Sequence, residues 1–95
     1  MLEVHPGLVL KDELEAREMS GNAFALALRI NSGRVSEILN GKRGISADTA
    51  LRLGRYFGND PQFWLGLQSS YDLAVASRES GERIEREVLP AKTAA

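Results

Sequence analysis

One twenty-residue segment constrains the fold more than any other: ALALRINSGRVSEILNGKRG, from Ala25 to Gly44. Its pattern predicts the end of one short helix, a tight turn, a second short helix and a basic exit loop. Asn31 is a good N-cap for the second helix, since its side-chain oxygen can accept from the free N–H groups of the next turn. Gly41 stands where a left-handed residue would end that helix, and Lys42 and Arg43 follow directly. The segment therefore predicts two short helices held together by their turn.

The second of these helices, predicted from Ser32 to Asn40, has an apolar side and a polar side. Val35, Ile38 and Leu39 lie at i, i+3 and i+4 and form one apolar stripe. At about 100° per residue, the opposite side carries small or hydrogen-bonding residues. A short helix with a polar outer face, a basic loop after it and a bracing helix before it is typical of a helix-turn-helix that reads DNA.

Candidate DNA contacts follow from this arrangement. Arg34 can donate two hydrogen bonds to guanine, and Glu37 can accept from cytosine or instead hold Arg34 in place. Lys42 and Arg43 are expected to position the DNA backbone together with Asn40. The residues of this segment that we expect to meet DNA are Asn31, Ser32, Gly33, Arg34, Ser36, Glu37, Asn40, Lys42 and Arg43.

Charge is distributed unevenly along the chain. The formal net charge is only −1, but residues 29–55 carry +4, whereas residues 1–28 carry −3 and residues 56–95 carry −2. Because local charge steers an encounter with DNA more than the total does, the basic middle agrees with a DNA-binding segment there. A solvated helical face is the competing interpretation of the same charges.

The composition excludes several other classes of protein. At 95 residues the chain makes one small domain. The absence of cysteine excludes disulfides and thiolate metal sites, and no apolar run is long enough for a membrane span or a signal peptide. Because no nucleophile–base set, phosphate loop or metal cluster is recognisable, we expect no enzyme, no cofactor and no metal site. We expect a cytoplasmic protein with no membrane partner.

The remaining pattern predicts an all-α fold without strands. Caps and turn residues set the expected bounds of five helices, which are Leu8–Glu18, Gly21–Leu28, Ser32–Asn40, a fourth between Ser46 and Gly58, and a fifth from Pro61 to about Glu79. Residues 1–80 are expected to form the helix-turn-helix domain with its dimerisation helix. Residues 81–95 are expected to form a short C-terminal extension, either one more amphipathic turn or an extended arm.

Two single residues pose structural questions. Arg29 follows the second predicted helix where a glycine would close it more easily, and a left-handed arginine carries roughly 1 kcal/mol of strain. His5 is the only histidine and precedes a Pro-Gly turn. Because it has no companion for a metal site or a catalytic base, we expect a structural or surface role for it.

A large apolar stripe on the fifth helix favours dimerisation. Phe63, Trp64, Leu67 and Tyr71 repeat there at helical spacing. A protein of this size has little interior for the three aromatic rings, and aromatic residues are enriched at interfaces. We therefore expect these residues to contribute to a homodimer interface, with a core position as the equal alternative for Trp64.

Several stretches resemble the HigA-type antitoxins, which are VapI-like addiction-module antidotes of the XRE helix-turn-helix family. These stretches are HPG at residues 5–7, Ser20 with residues 25–28, RVSEILNGKRGISADTALRL at residues 34–53, DPQFWLGLQSSYDL at residues 60–73 and IEREV at residues 84–88. The resemblance spans residues 5–90 and implies a five-helix, lambda-repressor-like fold.

The resemblance also implies partners and further contacts. The partners are a second copy of the chain, palindromic double-stranded operator DNA, and a HigB-like toxin of the RelE type that cleaves translated mRNA. A free-standing repressor without a toxin is the alternative. In this family the second helix commonly begins Ser-Gln, with the glutamine on the DNA backbone. Here Ser20 precedes Gly21 and Asn22, so Ser20 and Asn22 join the candidate DNA contacts.

The acidic flanks of the chain are the candidate toxin-binding surfaces, because a ribonuclease that grips RNA is usually cationic. One surface lies on the first helix and the other near the C-terminus. Their residues are Asp12, Glu13, Glu15 and Glu18 in the first, and the stretch from Glu82 to Leu89 in the second.

Overall fold

Within residues 3–92, which the computed structural model describes, the chain forms five α-helices and no strand. They are α1 (Pro6–Ala16), α2 (Gly21–Leu28), α3 (Ser32–Leu39), α4 (Ala47–Phe57) and α5 (Pro61–Glu87). The prediction of an all-α chain of five helices is confirmed. In this described part of the chain, no helix has both the length and the apolarity needed to cross a membrane.

Short polar side chains begin four of the helices, including Asn31, the predicted cap of α3. Each cap has an extended backbone, and its side-chain oxygen accepts from a backbone N–H group of the first turn. The caps of α2, α3, α4 and α5 are Ser20, Asn31, Ser46 and Asp60. The following Pro61 suits the first position of α5 because its φ is already helical and it lacks an N–H group to satisfy.

Helix α1 differs from the prediction at both ends. It begins at Pro6 rather than Leu8, because the His5 side chain caps it: Nδ1 of His5 accepts from the Gly7 N–H group at 2.9 Å. It stops at Ala16, and Glu18, the predicted last residue, has a left-handed φ of 53°. A residue in that conformation cannot continue a right-handed helix.

The two helices of the central segment end at or within one residue of their predicted ends. Helix α2 closes on Arg29, which is left-handed with φ of 59°. Arg52 donates to the carbonyl groups of Leu28 and Arg29 at 2.9 and 3.2 Å. These carbonyl groups at the end of α2 have no acceptor role within the helix, so Arg52 supplies their hydrogen-bond donor. Helix α3 ends one residue before its predicted end, with Asn40 as the C-cap and Gly41 left-handed after it.

Helix α5 is longer than predicted. It ends at Glu87 rather than near Glu79, so the predicted division after residue 80 falls within a continuous helix. The sequence offers no proline there until Pro90, and Arg83 approaches Glu87 to 4.0 Å at i,i+4. Its 27 residues span about 40 Å at 1.5 Å per residue. The separate C-terminal extension remains a prediction.

The core lies where the first four helices meet the first turns of α5. Helix α1 packs on α3, α2 on α3, and α4 on α5. The buried side chains that join them are Leu10, Leu14, Phe24, Ala25, Leu28, Val35, Ile38, Ile45, Ala50, Leu53 and Trp64. This packing leaves the outer face of α3 and the far half of α5 uncovered.

Candidate nucleic-acid interface

The polar side of α3 faces solvent. Val35 and Ile38 are each 2% exposed and anchor the helix on the core. The exposed residues of the opposite side and its cap are Asn31, Ser32, Gly33, Ser36, Glu37 and Asn40. Their hydrogen-bonding groups stand on a short, narrow ridge, the shape that the major groove of DNA admits.

Arg34 does not lie on this ridge. Its Nη2 donates to Thr49 Oγ1 at 2.8 Å and lies 3.7 Å from Asp48 Oδ1, so the guanidinium rests against the start of α4. The alternative in which Glu37 holds Arg34 is wrong, because Glu37 Oε1 instead lies 3.2 Å from Arg43 Nη2. In this conformation Arg34 fixes α3 on α4.

Asp48 connects this contact to the turn of the helix-turn-helix. It accepts from Arg52 Nε at 2.8 Å, and the same guanidinium caps the carbonyls at the end of α2. The Arg52 hydrogen bond, with the nearby Arg34 charge, holds the pKa of the Asp48 carboxyl below its usual range. Asp48 and Arg52 thus set how α2 and α3 sit on α4, a role that the sequence did not reveal.

A shallow groove separates α2 from α3. Ser20 and Asn22, the contacts implied by the family resemblance, line it together with Ser32, Ser36 and Asn40. Lys11 of α1 also lines it and is exposed. Sequence reasoning missed Lys11, because only the packing of α1 on α3 brings this cation beside the exposed side of α3.

The basic loop after α3 is held from several sides. The Lys42 N–H group donates to the Glu37 carbonyl at 2.8 Å, which ties the loop to the last turn of α3. Further along, the Ile45 N–H group donates to Gln68 Oε1 at 2.8 Å, and the same amide fills the space beside Gly44. Lys42 and Arg43 remain exposed. No local sequence pattern predicts that Gln68 holds this loop.

The residues predicted for the dimer interface face different directions. Trp64 is 2% exposed and its Nε1 donates to Asn59 Oδ1 at 2.9 Å, so it takes the core alternative. Leu67 is half-buried against the core, and Tyr71 packs on the His5 ring. Of the predicted set, Phe63 is the exposed member, at 49%. The interface assignment of Trp64 is therefore wrong, since its side chain is enclosed within its own protomer.

Known proteins share this architecture. A helix-turn-helix family model matches residues 10–64. Virulence-associated protein I of Dichelobacter nodosus is 48% identical over 80 residues, which cover 83% of this chain and 74% of that protein. An addiction module antidote protein of the HigA family from Coxiella burnetii superposes with a TM-score of 0.92 at 50% identity, covering 96% of this chain and all of the other.

A second solved structure carries DNA. The Pseudomonas aeruginosa antitoxin HigA, solved with the higBA promoter, superposes with a TM-score of 0.91 at 46% identity and covers 96% of this chain and 100% of its own. Family model, identity and superposition agree over most of the chain. This chain belongs to the HigA-type antitoxins of the XRE helix-turn-helix family.

Proposed function

We propose that this chain represses its own promoter by placing α3 in the major groove of a two-fold symmetric operator. The exposed polar face of α3 lies beside a basic loop that is already held in place, and this arrangement is the main support for the proposal. The HigA relative solved with its promoter supports the same role. Helix α3 has eight residues, a length that suits entry into the groove by its first turns.

The exposed side chains of α3 are proposed to read the bases. Ser36 can pair with several bases, and Glu37 can accept from cytosine. Gly33 adds no bulk to the ridge, and its missing side chain also leaves room for the Asn31 cap. To reach guanine, Arg34 must first give up its hydrogen bond to Thr49. Contact with a base would therefore change how α3 packs on α4.

Phosphate contacts are proposed to surround this helix. Lys42 and Arg43 stand at its C-terminal end, while Lys11 and Asn22 line the groove on its other side. Ser20 caps α2, whose free N–H groups attract an anion. Such contacts would fix the register of the protein on the duplex without selecting sequence.

Replacing Lys42 with alanine is expected to weaken binding to operator and to scrambled DNA by similar factors. The slope of log affinity against log salt should fall by about one for each protomer, because one phosphate contact is lost. Fluorescence anisotropy with both duplexes at several salt concentrations measures the two quantities. Lys92→Ala removes the same side chain from the far end of the described chain and should change neither. A salt slope that is unchanged in Lys42→Ala would contradict the phosphate assignment.

We further propose that the chain dimerises through the outward face of α5. Positions three and four residues apart along this face hold only small or apolar residues, which are Gly66, Ser69, Leu73, Ser77, Ser80 and Ile84. Leu73 and Ile84 are 62% and 48% exposed, and Phe63 lies at the edge of the same face. Small residues allow two helices to approach closely, and exposed leucine and isoleucine supply the area to bury. Two recognition helices would then meet two half-sites.

The third part of the proposal is neutralisation of a HigB-like, mRNA-cleaving toxin. Two similar proteins of known structure are an antitoxin and an addiction module antidote, which supports this part of the proposal. This chain also has two exposed acidic surfaces. One surface is the outer side of α1, with Asp12 and Glu15, and the other is the end of α5, with Glu82 and Glu85. On α5 these carboxylates point away from the proposed dimer face, so a basic toxin can bind there without competing with dimerisation.

Charge reversal at these surfaces is expected to weaken capture of the toxin. The product of the adjacent gene should co-purify with the unsubstituted chain, and Glu82→Lys with Glu85→Lys, or Asp12→Lys with Glu15→Lys, should reduce the captured amount at low salt. Operator binding by each double variant is the control and should not weaken. If no neighbouring product co-purifies, the toxin proposal fails and the free-standing repressor stands. If neither variant reduces capture, the acidic surfaces are not the docking sites.

A further inference from the structure

The outward face of α5 is bordered along one edge by two opposite charges. Asp72 and Arg83 lie eleven residues apart. Because this spacing is close to three full turns, both residues stand on the same edge of the helix, about 16 Å apart along it. We propose that two copies of α5 pair in antiparallel orientation, with Asp72 of each copy against Arg83 of the other. This orientation rests on the proposed dimerisation and adds the residues that specify it.

The face beside this edge has nearly the same pattern in both chain directions. Leu73 stands near one end and Ile84 near the other, and they are 62% and 48% exposed. Ser77 and Ser80 lie between them on the same face. An antiparallel copy therefore meets apolar residues at both ends and small residues at the centre. Such a surface is complementary to itself, as the contact across a two-fold axis requires.

The two charges on the edge decide between the possible orientations of the pair. In a parallel pair each residue lies beside its own equivalent, so Asp72 would face Asp72 of the partner subunit and Arg83 would face Arg83 of the partner subunit. Like charges placed together in this way repel. In an antiparallel pair the first half of one helix lies on the second half of the other, so each carboxylate meets a guanidinium. The two-fold symmetry then makes two equivalent ion pairs.

Both side chains are accessible for this contact. Asp72 is exposed, and its Oδ1 accepts from Gln68 Nε2 at 2.9 Å, which orients the carboxylate. The Arg83 side chain is 62% exposed, and its contacts within α5 are long, at 3.5 Å from Nη2 to Ser80 Oγ and 4.0 Å from Nε to Glu87 Oε2. Exposed contacts of this length contribute little in water, so Arg83 can exchange them for Asp72 of the partner subunit.

A charge swap tests the pairing. Arg83→Glu should raise the dissociation constant of the dimer on the order of tenfold at low salt, because two attractions become two repulsions. The loss should shrink as salt screens the charges. Adding Asp72→Arg should restore the constant to within about threefold of the unsubstituted value. Because the two positions are about 16 Å apart along one helix, they cannot meet within a protomer, and this rescue can come only from contact between copies.

Arg86→Glu is the matched control. Arg86 has the same side chain three residues further along α5, which turns it about 60° further from the proposed interface. Sedimentation equilibrium measures the dissociation constant of each variant. An equal loss in Arg83→Glu and Arg86→Glu, or no recovery in the swapped variant, would overturn the antiparallel pairing. A monomeric unsubstituted chain would instead overturn the proposed dimer.

Disulfide cross-linking measures the orientation independently. The chain has no cysteine, so an introduced thiol can pair only with its equivalent in the partner subunit. Ser77 lies near the midpoint between Asp72 and Arg83, so Ser77→Cys should form a disulfide across the two-fold axis. Leu73→Cys should not, because its two thiols would stand roughly 13 Å apart along the helices, beyond the reach of a disulfide. Cross-linking of both variants would indicate a parallel pair, and a dimer of Ser77→Cys that does not cross-link would place the axis elsewhere. Either result would overturn the inference.

Discussion

Gly7→Ala is expected to lower the free energy of unfolding by about 3 kcal/mol, near the upper end of what overpacking usually costs. A Cβ at this position would lie 2.0 Å from the Ile38 carbonyl oxygen and 3.0 Å from its carbon. Both belong to the backbone of α3, which cannot turn aside as a side-chain tip can. The substitution therefore forces α1 away from the C-terminal end of α3.

The matched control is Gly21→Ala in the first turn of α2. Its Cβ would meet Leu39 Cδ1 at 3.6 Å, an ordinary packing distance, so we expect an unchanged or slightly higher stability. Urea unfolding followed by circular dichroism gives both values. Equal midpoints for the two variants would show that α1 and α3 do not cross as closely as described.

The second large effect is expected from Leu73→Glu. Two copies of this change place charges at the centre of the proposed α5 interface, where each carboxylate would be desolvated without a partner. The variant should be a folded monomer by analytical ultracentrifugation. Its affinity for an operator with both half-sites should fall on the order of 100-fold, because the two recognition helices no longer bind as one unit.

Leu51→Glu is the control for this experiment. Leu51 is 61% exposed on α4 and Leu73 is 62% exposed on α5, so the two substitutions change equally accessible leucines in the same way. We expect Leu51→Glu to keep the mass of two chains and the affinity for the operator. A dimer that survives Leu73→Glu would place the interface elsewhere.

The starts of the helices could be predicted because their determinants are local. A cap and the N–H group it accepts from lie two or three residues apart, as Asn31 and Gly33 do. The start of α1 was missed because its cap, His5, is not among the usual capping residues. The end of α5 was missed because Gly81, which lowers helix propensity, is tolerated within a helix that has no other stop before Pro90.

The side-chain contacts between helices could not be predicted, because they depend on which helices pack against each other. Arg34 lies on α3, whereas its partners Thr49 and Asp48 lie on α4, and no short-range pattern links them. Helix α5 posed the same difficulty, with an aromatic stripe on one side and small residues on the other. Either set of residues could form part of the core or of an interface. The burial of Trp64 shows that the aromatic side of α5 faces inward.

The arginines of the basic segment are largely committed to carboxylates within the chain. Arg43 is paired with Glu37, and Arg34 and Arg52 share Asp48. A DNA phosphate would have to compete with Glu37 or Asp48 for these guanidinium groups, and exposed ion pairs of this kind are weak in water. If the chain binds DNA as proposed, each arginine contact exchanges an ion pair within the protein for one with phosphate.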